Sequence, residues 1–135
     1  MASKNGLEEF RRKLMRVPAA IRAEVDKANA QNAEEWVQAA KAAVPRDPED
    51  GTPLADSIRH YKSDTGGQIV RAGGQATTKP SAGGPFDYAT AQEFGTVKQT
   101  PNPFFWPTYR LLRKKFNSRR RRALNKAVKD FNDGR

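Results

Sequence analysis

YATAQEFGTVKQTPNPFFWPTY, at residues 88–109, is the segment around which the rest of this chain can be understood. Between its terminal tyrosines it places four large aromatic side chains, Phe94, Phe104, Phe105 and Trp106, among one glycine and three prolines. Each such ring can bury on the order of 150–250 Å², and proline fixes the backbone path between the rings. The segment therefore predicts an anchored loop that locks one structural element to the next.

A helix is predicted to follow this loop, from Pro107 to about Asn132, because proline is tolerated in the first helical turn. Its apolar side chains recur at helical spacing at Leu112, Phe116, Leu124, Ala127 and Phe131. Residues 119–122 are four consecutive arginines, and at about 100° per residue they encircle the helix. Arg120 then falls on the apolar stripe, where an unpaired charge is costly. We expect either that the helix projects beyond the core from about Asn117, or that Arg120 meets a carboxylate on another surface.

The N-terminal third has apolar residues spaced by three and four, which is typical of one helix face. Pro18 interrupts the pattern, so we predict a short helix from about Asn5 to Arg16 and a long one from Pro18 to Ala43. The alanine content of the long helix favours close packing against a sheet or another helix. A two-stranded coiled coil is the weaker alternative because of polar Gln31 and Asn32.

The middle of the chain predicts a small hairpin. LADSIRHYKS (residues 54–63) is interpreted as a strand, SDTGG as a turn and QIVRAG as the returning strand. Two strands alone are marginally stable in water, so a helix must cover them. GGQATTKPSAGGP (residues 73–85) has almost nothing to bury and predicts a long flexible loop, and residues 86–94 predict a short strand or helical turn.

These elements predict one α+β domain over residues 1–135, in which the long N-terminal helix packs on a small antiparallel sheet. Its parts are an N-terminal helical region (about 5–44), a sheet with loops (about 45–106) and a basic C-terminal helix (about 107–132).

The sequence offers few candidate residues for catalysis. There is no cysteine, and His60 is the single histidine, without a local motif for a nucleophile or an orienting carboxylate. One nitrogen ligand is too few for a nitrogen or sulfur metal site. The acidic cluster at residues 47–50 lacks a cation-loop signature, and the glycine-rich loop lacks the ending of a phosphate-binding loop. We therefore expect no catalytic, metal or cofactor-binding residues.

No segment has the length of a membrane span or the apolar core of a secretory signal, so we expect the chain to act in the cytoplasm or in a particle assembled there.

The chain is basic, with 25 lysines and arginines, 15 acidic residues and a formal charge of +10. Such a balance indicates a polyanionic partner, either nucleic acid or an acidic protein surface, unless the charges only solvate the helix. The candidate contact residues are Arg113, Lys114, Lys115, Arg119, Arg120, Arg121 and Arg122. The Phe104–Trp106 aromatics (residues 104–106) could stack on bases, but the flanking prolines favour a role as core or subunit-interface anchors.

Four motifs carry a family resemblance. They are Ala43-Val44-Pro45 after the long helix, Gly51 followed by Leu54-Ala55-Asp56-Ser57-Ile58, Tyr88-Ala89 leading to Glu93-Phe94-Gly95-Thr96, and the proline-aromatic box at residues 101–107. Together they resemble the head–tail joining, neck or tail-completion proteins of long-tailed bacteriophages, over roughly residues 18–116. Thr52 and Pro53 stand where the family commonly has one residue. The arginine block is not part of the family pattern, so the resemblance implies no role for it.

The resemblance implies an α+β structural subunit of the virion, without catalysis or cofactors, in a homo-oligomeric ring (a hexamer or dodecamer) between portal and tail. Its neighbours would be portal or adaptor, head-closure and tail proteins, with non-specific contact to packaged DNA and none to a membrane. Interface or loop-anchor roles are expected for Glu93, Phe94, Gly95, Thr96, Phe104, Phe105 and Trp106. Glu93 would accept hydrogen bonds from loop amides or pair with an arginine across an interface, and Gly95 would take a conformation closed to larger residues. The alternative is a free cytoplasmic protein that binds nucleic acid through its C-terminal helix.

Overall fold

The computed structural model describes residues 6, 8–9, 18–45, 53–64 and 66–133. In chain order the elements are α1 (Ala19–Ala43), α2 (Pro53–Ser57), β1 (Arg59–Lys62), β2 (Gln68–Arg71), a 3-10 turn (Gln75–Thr77), β3 (Thr78–Lys79), β4 (Phe86–Asp87), α3 (Tyr88–Phe94) and α4 (Trp106–Asn132). The predicted α+β class is thus confirmed. The acidic cluster at residues 47–50, and the predicted short helix at residues 5–16 apart from Gly6, Glu8 and Glu9, lie outside the described residues.

The two long helices pack side by side and run antiparallel. Asn32, in the middle of α1, bonds the carbonyl of Phe116 in the middle of α4. Near the start of α1, Ala20 lines the same cavity as Phe131 at the end of α4. Alanines occupy much of the buried face of α1, which lets the two backbones approach closely. Both helices lie within one or two residues of their predicted bounds.

The hairpin β1–β2 covers another side of α1. Its antiparallel register runs from Arg59 opposite Arg71 to Lys62 opposite Gln68. The amide of Ser63 donates to the carbonyl of Gly67 at 3.0 Å and closes the predicted turn. A helix therefore covers the hairpin, as the marginal stability of two strands requires.

The first strand is shorter than predicted, because residues 53–57 are helical. Leu54 and Ile58 are both buried, and a spacing of four residues places them on the same side of one helical turn. The Ser57 hydroxyl donates to the Leu54 carbonyl at 2.6 Å, and the amide of Ile58 donates to the carbonyl of Ala55 at 3.2 Å. Only from Arg59 onward does the chain pair with β2.

The segment at residues 73–85 is folded onto Asp87, and one side chain of it is buried, although its composition predicted almost nothing to bury. Thr77 is fully buried, and its hydroxyl donates to Asp87 Oδ1 at 2.6 Å. The Gly74 amide donates to Asp87 Oδ2 at 3.0 Å, and β3 pairs with β4 next to this contact. Asp87 also caps α3 by accepting from the Ala89 amide at 2.9 Å. One carboxylate thus organises the loop and starts the following helix.

The main core lies between α1, α2, α3 and the start of α4. Phe104 and Ile58 are each only 1% exposed and pack with Val37, Ala40 and Leu54. The proline-aromatic box thus contributes one of the most deeply buried side chains of the described structure, as its composition predicted.

Candidate functional site

Glu93 joins the end of α3 to the start of α4. Its carboxylate accepts three backbone hydrogen bonds, from the amides of Phe104, Phe105 and Trp106, each at 2.9 Å. The first residues of a helix have amides without an intrahelical partner, and no cap side chain precedes α4 to bond them. Glu93 supplies that cap from elsewhere in the chain and is itself buried. Of the two roles left open for Glu93, the structure shows the bonds to loop amides.

Gly95 ends α3 with a backbone that only glycine adopts easily. Its φ is +76°, and a Cβ at this position would lie 2.7 Å from Cδ of Pro101. The next residue, Thr96, forms a tight turn in which its amide donates to the Gln99 carbonyl at 2.9 Å. The turn and the close approach of Pro101 return the chain to Glu93, so the predicted conformational requirement for glycine is confirmed.

The aromatic side chains at the start of α4 pack around Trp36 of α1. The Trp36 indole nitrogen donates to the Phe105 carbonyl at 3.0 Å, and the Trp36 and Phe105 ring centroids are 4.5 Å apart. Tyr109 closes the other side of Trp36, with 4.8 Å between centroids. Phe104 packs in the core. Phe104 and the rings around Trp36 together hold the first turn of α4 against α1.

Two aromatic side chains of the predicted site remain exposed. Phe94 is 67% exposed and Trp106 41% exposed. Both line a cleft of about 240 Å³, together with Val70 of β2 and Ala72 just after it. We call Phe94, Trp106 and this cleft the cleft patch. Exposed aromatic rings at the mouth of an apolar cleft are typical of a protein-contact surface.

The arginine block divides into residues with different roles. Arg119 is half-buried and donates to Glu35 Oε2 at 2.7 Å and to Asn32 Oδ1 at 2.6 Å. Lys115 binds the other oxygen of Glu35. Hydrogen bonds from Lys115 and Arg119 lower the pKa of Glu35 below its ordinary value, against the opposing effect of burial. Lys115 and Arg119 therefore fasten α4 to α1 within one chain.

Arg120 lies beside Phe116, as its place on the apolar stripe predicted, and lines a cavity with it and Asn32, but it meets no carboxylate among the described residues of its own chain. Arg120 is exposed and bonds Asn117 of its own helix, while Arg119 is the residue that meets a carboxylate. Nor does α4 leave the core at Asn117, because Ala127 is still buried against the start of α1. Arg113, Lys114, Arg121 and Arg122 are exposed.

A second apolar surface lies at the far end of α4. Leu124 is 44% exposed, Val128 38% and Phe131 52%. Their spacing of four and three residues places them in one row on the helix. The sequence had assigned Leu124 and Phe131 to the buried stripe, which the structure corrects. We call these three residues the terminal patch.

His60 has a structural position, linking the hairpin to α1. Its Nε2 lies 2.8 Å from Glu34 Oε2, and its Nδ1 lies 3.0 Å from Gln68 Oε1. Among the described residues, no group of three or more histidine, cysteine or acidic side chains could hold a metal ion. None of the helices in the described ranges has the length and apolar character needed to cross a bilayer.

Comparison with known families gives one match. Residues 8–95 match the family described as "Bacteriophage HK97-gp10, putative tail-component". The matched segment includes Trp36, the hairpin, Glu93 and Gly95, and it ends before the proline-aromatic box and α4. No significant match was found among curated proteins or among solved structures. Since the match covers well over half of the chain, the protein belongs to the HK97-gp10-like family of bacteriophage tail components.

Proposed function

We propose that this protein is a ring subunit at the head–tail junction of a long-tailed bacteriophage, where it completes the neck or the tail between the portal and the tail tube. Family membership supports a structural role in a phage tail. The observation that carries the finer proposal is the presence of two different exposed apolar surfaces, the cleft patch and the terminal patch, on one small subunit.

A closed ring needs two such surfaces. Its subunits meet head to tail, so each presents one surface to the preceding copy and a different one to the next. Trp106 in the cleft patch and Phe131 in the terminal patch are separated by the length of α4, about 37 Å at 1.5 Å per residue. Patches this far apart can be covered by two neighbours at once. Rings of six or twelve copies, in contact with portal or adaptor, head-closure and tail proteins, fit this arrangement.

Electron cryo-microscopy of purified particles tests the location directly. We expect a ring of this subunit between portal and tail, in which the cleft patch of one copy faces the terminal patch of the next. Particles in which the chain occurs only along the tail, or not at all, would refute the proposed position.

Substitutions in the two patches test the ring contacts. Phe94→Ser and Phe131→Ser each remove an exposed ring, so we expect folded protein that enters particles poorly. Val97→Ser is the matched control, because Val97 is fully exposed and belongs to neither patch. Circular dichroism confirms folding. Equal incorporation of all three variants would contradict the assignment of the patches.

A second candidate function, a free cytoplasmic protein that binds nucleic acid, is favoured by the exposed arginines of α4. Absence of the chain from particles, together with binding of the pure protein to duplex DNA, would select this function instead.

A further inference from the structure

We propose that the outer face of α4, which points away from α1, contacts the phosphates of duplex DNA, and that Lys115 and Arg119 are not part of this contact. The inference rests on the proposed function, because a ring around the DNA channel brings the helix close to packaged DNA.

The outer face carries five cations. Helical periodicity places them on the half of α4 opposite Phe116 and Ala127, the residues buried against α1. All five are exposed. They are Arg110, Lys114, Arg121, Arg122 and Lys129.

Within α4 no carboxylate lies on this face; Asp133, which caps the helix, follows Lys129 by four residues. The only acidic residue within α4, Trp106–Asn132, is Asp130, which is half-buried on the α1 side and lines a cavity with Glu24. The cations are interspersed with Ser118 and Asn125, whose short polar side chains also donate hydrogen bonds to phosphate oxygens. The face therefore concentrates positive charge and hydrogen-bond donors.

The composition of this face favours DNA over an acidic protein surface. The centres of protein interfaces are enriched in aromatic residues, methionine and arginine and depleted in lysine. Here no aromatic side chain of Trp106–Asn132 stands among the cations of the outer face, and its large apolar side chains are Leu111 and Val128. From Arg110 to Lys129 the face extends about 28 Å, and a DNA strand carries one phosphate about every 3.4 Å along its axis. Each of the five cations can therefore meet a different phosphate.

Lys115 and Arg119 are excluded because both are bound to Glu35. Arg119 has only 17% of its side chain exposed, and releasing it would break the bonds that it donates to Glu35 Oε2 and Asn32 Oδ1. The four-arginine run thus contains one residue that fastens helices together, Arg119, and two that face outward, Arg121 and Arg122.

The test is fluorescence anisotropy of the full chain with two labelled 30-base-pair duplexes of unrelated sequence, over a series of salt concentrations. We expect equal affinity for both duplexes and a negative slope of log K against log salt concentration. In the variant Arg110→Gln, Lys114→Gln, Arg121→Gln, Arg122→Gln, the magnitude of the slope should fall by about 3–4, since each phosphate contact contributes about 0.9.

A control variant with the same net charge separates a local contact from general attraction. Lys27→Gln, Lys41→Gln, Arg71→Gln and Lys98→Gln remove four cations from other elements, and we expect the slope of the unaltered protein. Within the arginine run, Arg121→Gln should reduce the slope by about 0.9, whereas Arg119→Gln should leave it unchanged and lower the melting temperature. Equal slopes in the two quadruple variants, or no salt-dependent binding by the unaltered chain, would overturn the inference.

Poly-glutamate distinguishes DNA from an acidic protein surface. If poly-glutamate at equal charge concentration displaces the duplex as well as unlabelled DNA does, the face recognises acidity in general and the proposed partner is wrong. The proposed position is tested separately, by particle imaging. A ring in particles whose isolated subunit does not bind DNA would refute this inference and leave the proposed function standing.

Discussion

Replacing Glu93 by glutamine tests how α4 is held. The substitution keeps the shape of the side chain but removes its charge and turns one acceptor oxygen into a donor nitrogen. At least one of the three amides that Glu93 now binds, those of Phe104, Phe105 and Trp106, then faces an NH₂ group. A hydrogen bond to a charged group contributes about 1.5–3 kcal/mol and a neutral one about 0.5–1.5 kcal/mol. At the midpoints of these ranges, one lost and two weakened bonds give an expected destabilisation of about 5 kcal/mol.

Urea unfolding, followed by circular dichroism and by tryptophan fluorescence, measures this difference. The sequence has two tryptophans, Trp36 and Trp106, whose rings are in contact at the start of α4. Tryptophan fluorescence therefore reports the attachment of α4 directly. Glu24→Gln is the control, an exposed carboxylate of α1 where we expect a change below about 0.5 kcal/mol. Glu93→Gln with stability as close as this to the unaltered protein would refute the capping argument.

Three further predictions concern stability. Phe104→Ala should cost about 3–5 kcal/mol, because it empties a site only 1% exposed; an unchanged melting temperature would contradict this core position. Gly95→Ala should cost about 3 kcal/mol in urea unfolding, from positive φ and the contact with Pro101, whereas Gly66→Ala, at φ +97° with open space around it, should cost about 1 kcal/mol; equal costs would show that the contact is unimportant. Burial alone raises the pKa of Asp87, but bonds from Thr77, Gly74 and Ala89 outweigh it and lower the pKa. The unfolded chain therefore binds protons first as the pH falls, so the free energy of unfolding should be highest above about pH 4 and decline below it, and Asp87→Asn should flatten this decline.

Local patterns in the sequence were sufficient for the two long helices and the hairpin, although not for α2, which was predicted as part of a strand. The three-and-four spacing after Pro18 predicted α1, and the glycine-rich turn between two short apolar runs predicted the hairpin. The density of rings at residues 104–106 predicted an anchor, and Phe104 is one. In each case the residues that determine the element are neighbours in sequence, so local interactions are enough to predict it.

Contacts between residues that are distant in sequence could not be predicted from such patterns. Arg119 is half-buried because Glu35 and Asn32, more than eighty residues earlier, satisfy its charge. The apolar stripe predicted for α4 contained both Leu124 and Ala127, but only Ala127 is buried and Leu124 remains exposed. Thr77 is another example, since its hydrogen bond to Asp87 helps to explain why a polar residue in a glycine-rich segment is buried.

The bonds that attach α4 have a consequence for how this protein can vary. Three side chains within the family-matched segment hold the helix: Glu93 binds its first amides, Trp36 binds the Phe105 carbonyl, and Asn32 binds the Phe116 carbonyl. All of these contacts are to main-chain atoms, which are the same whatever residue stands at the position. At these three points the matched segment binds main-chain atoms, whatever residues the outward face of α4 carries. Substitutions on the outward face of α4 should therefore leave these three attachments intact, whereas Lys115 and Arg119, which bind Glu35, are constrained.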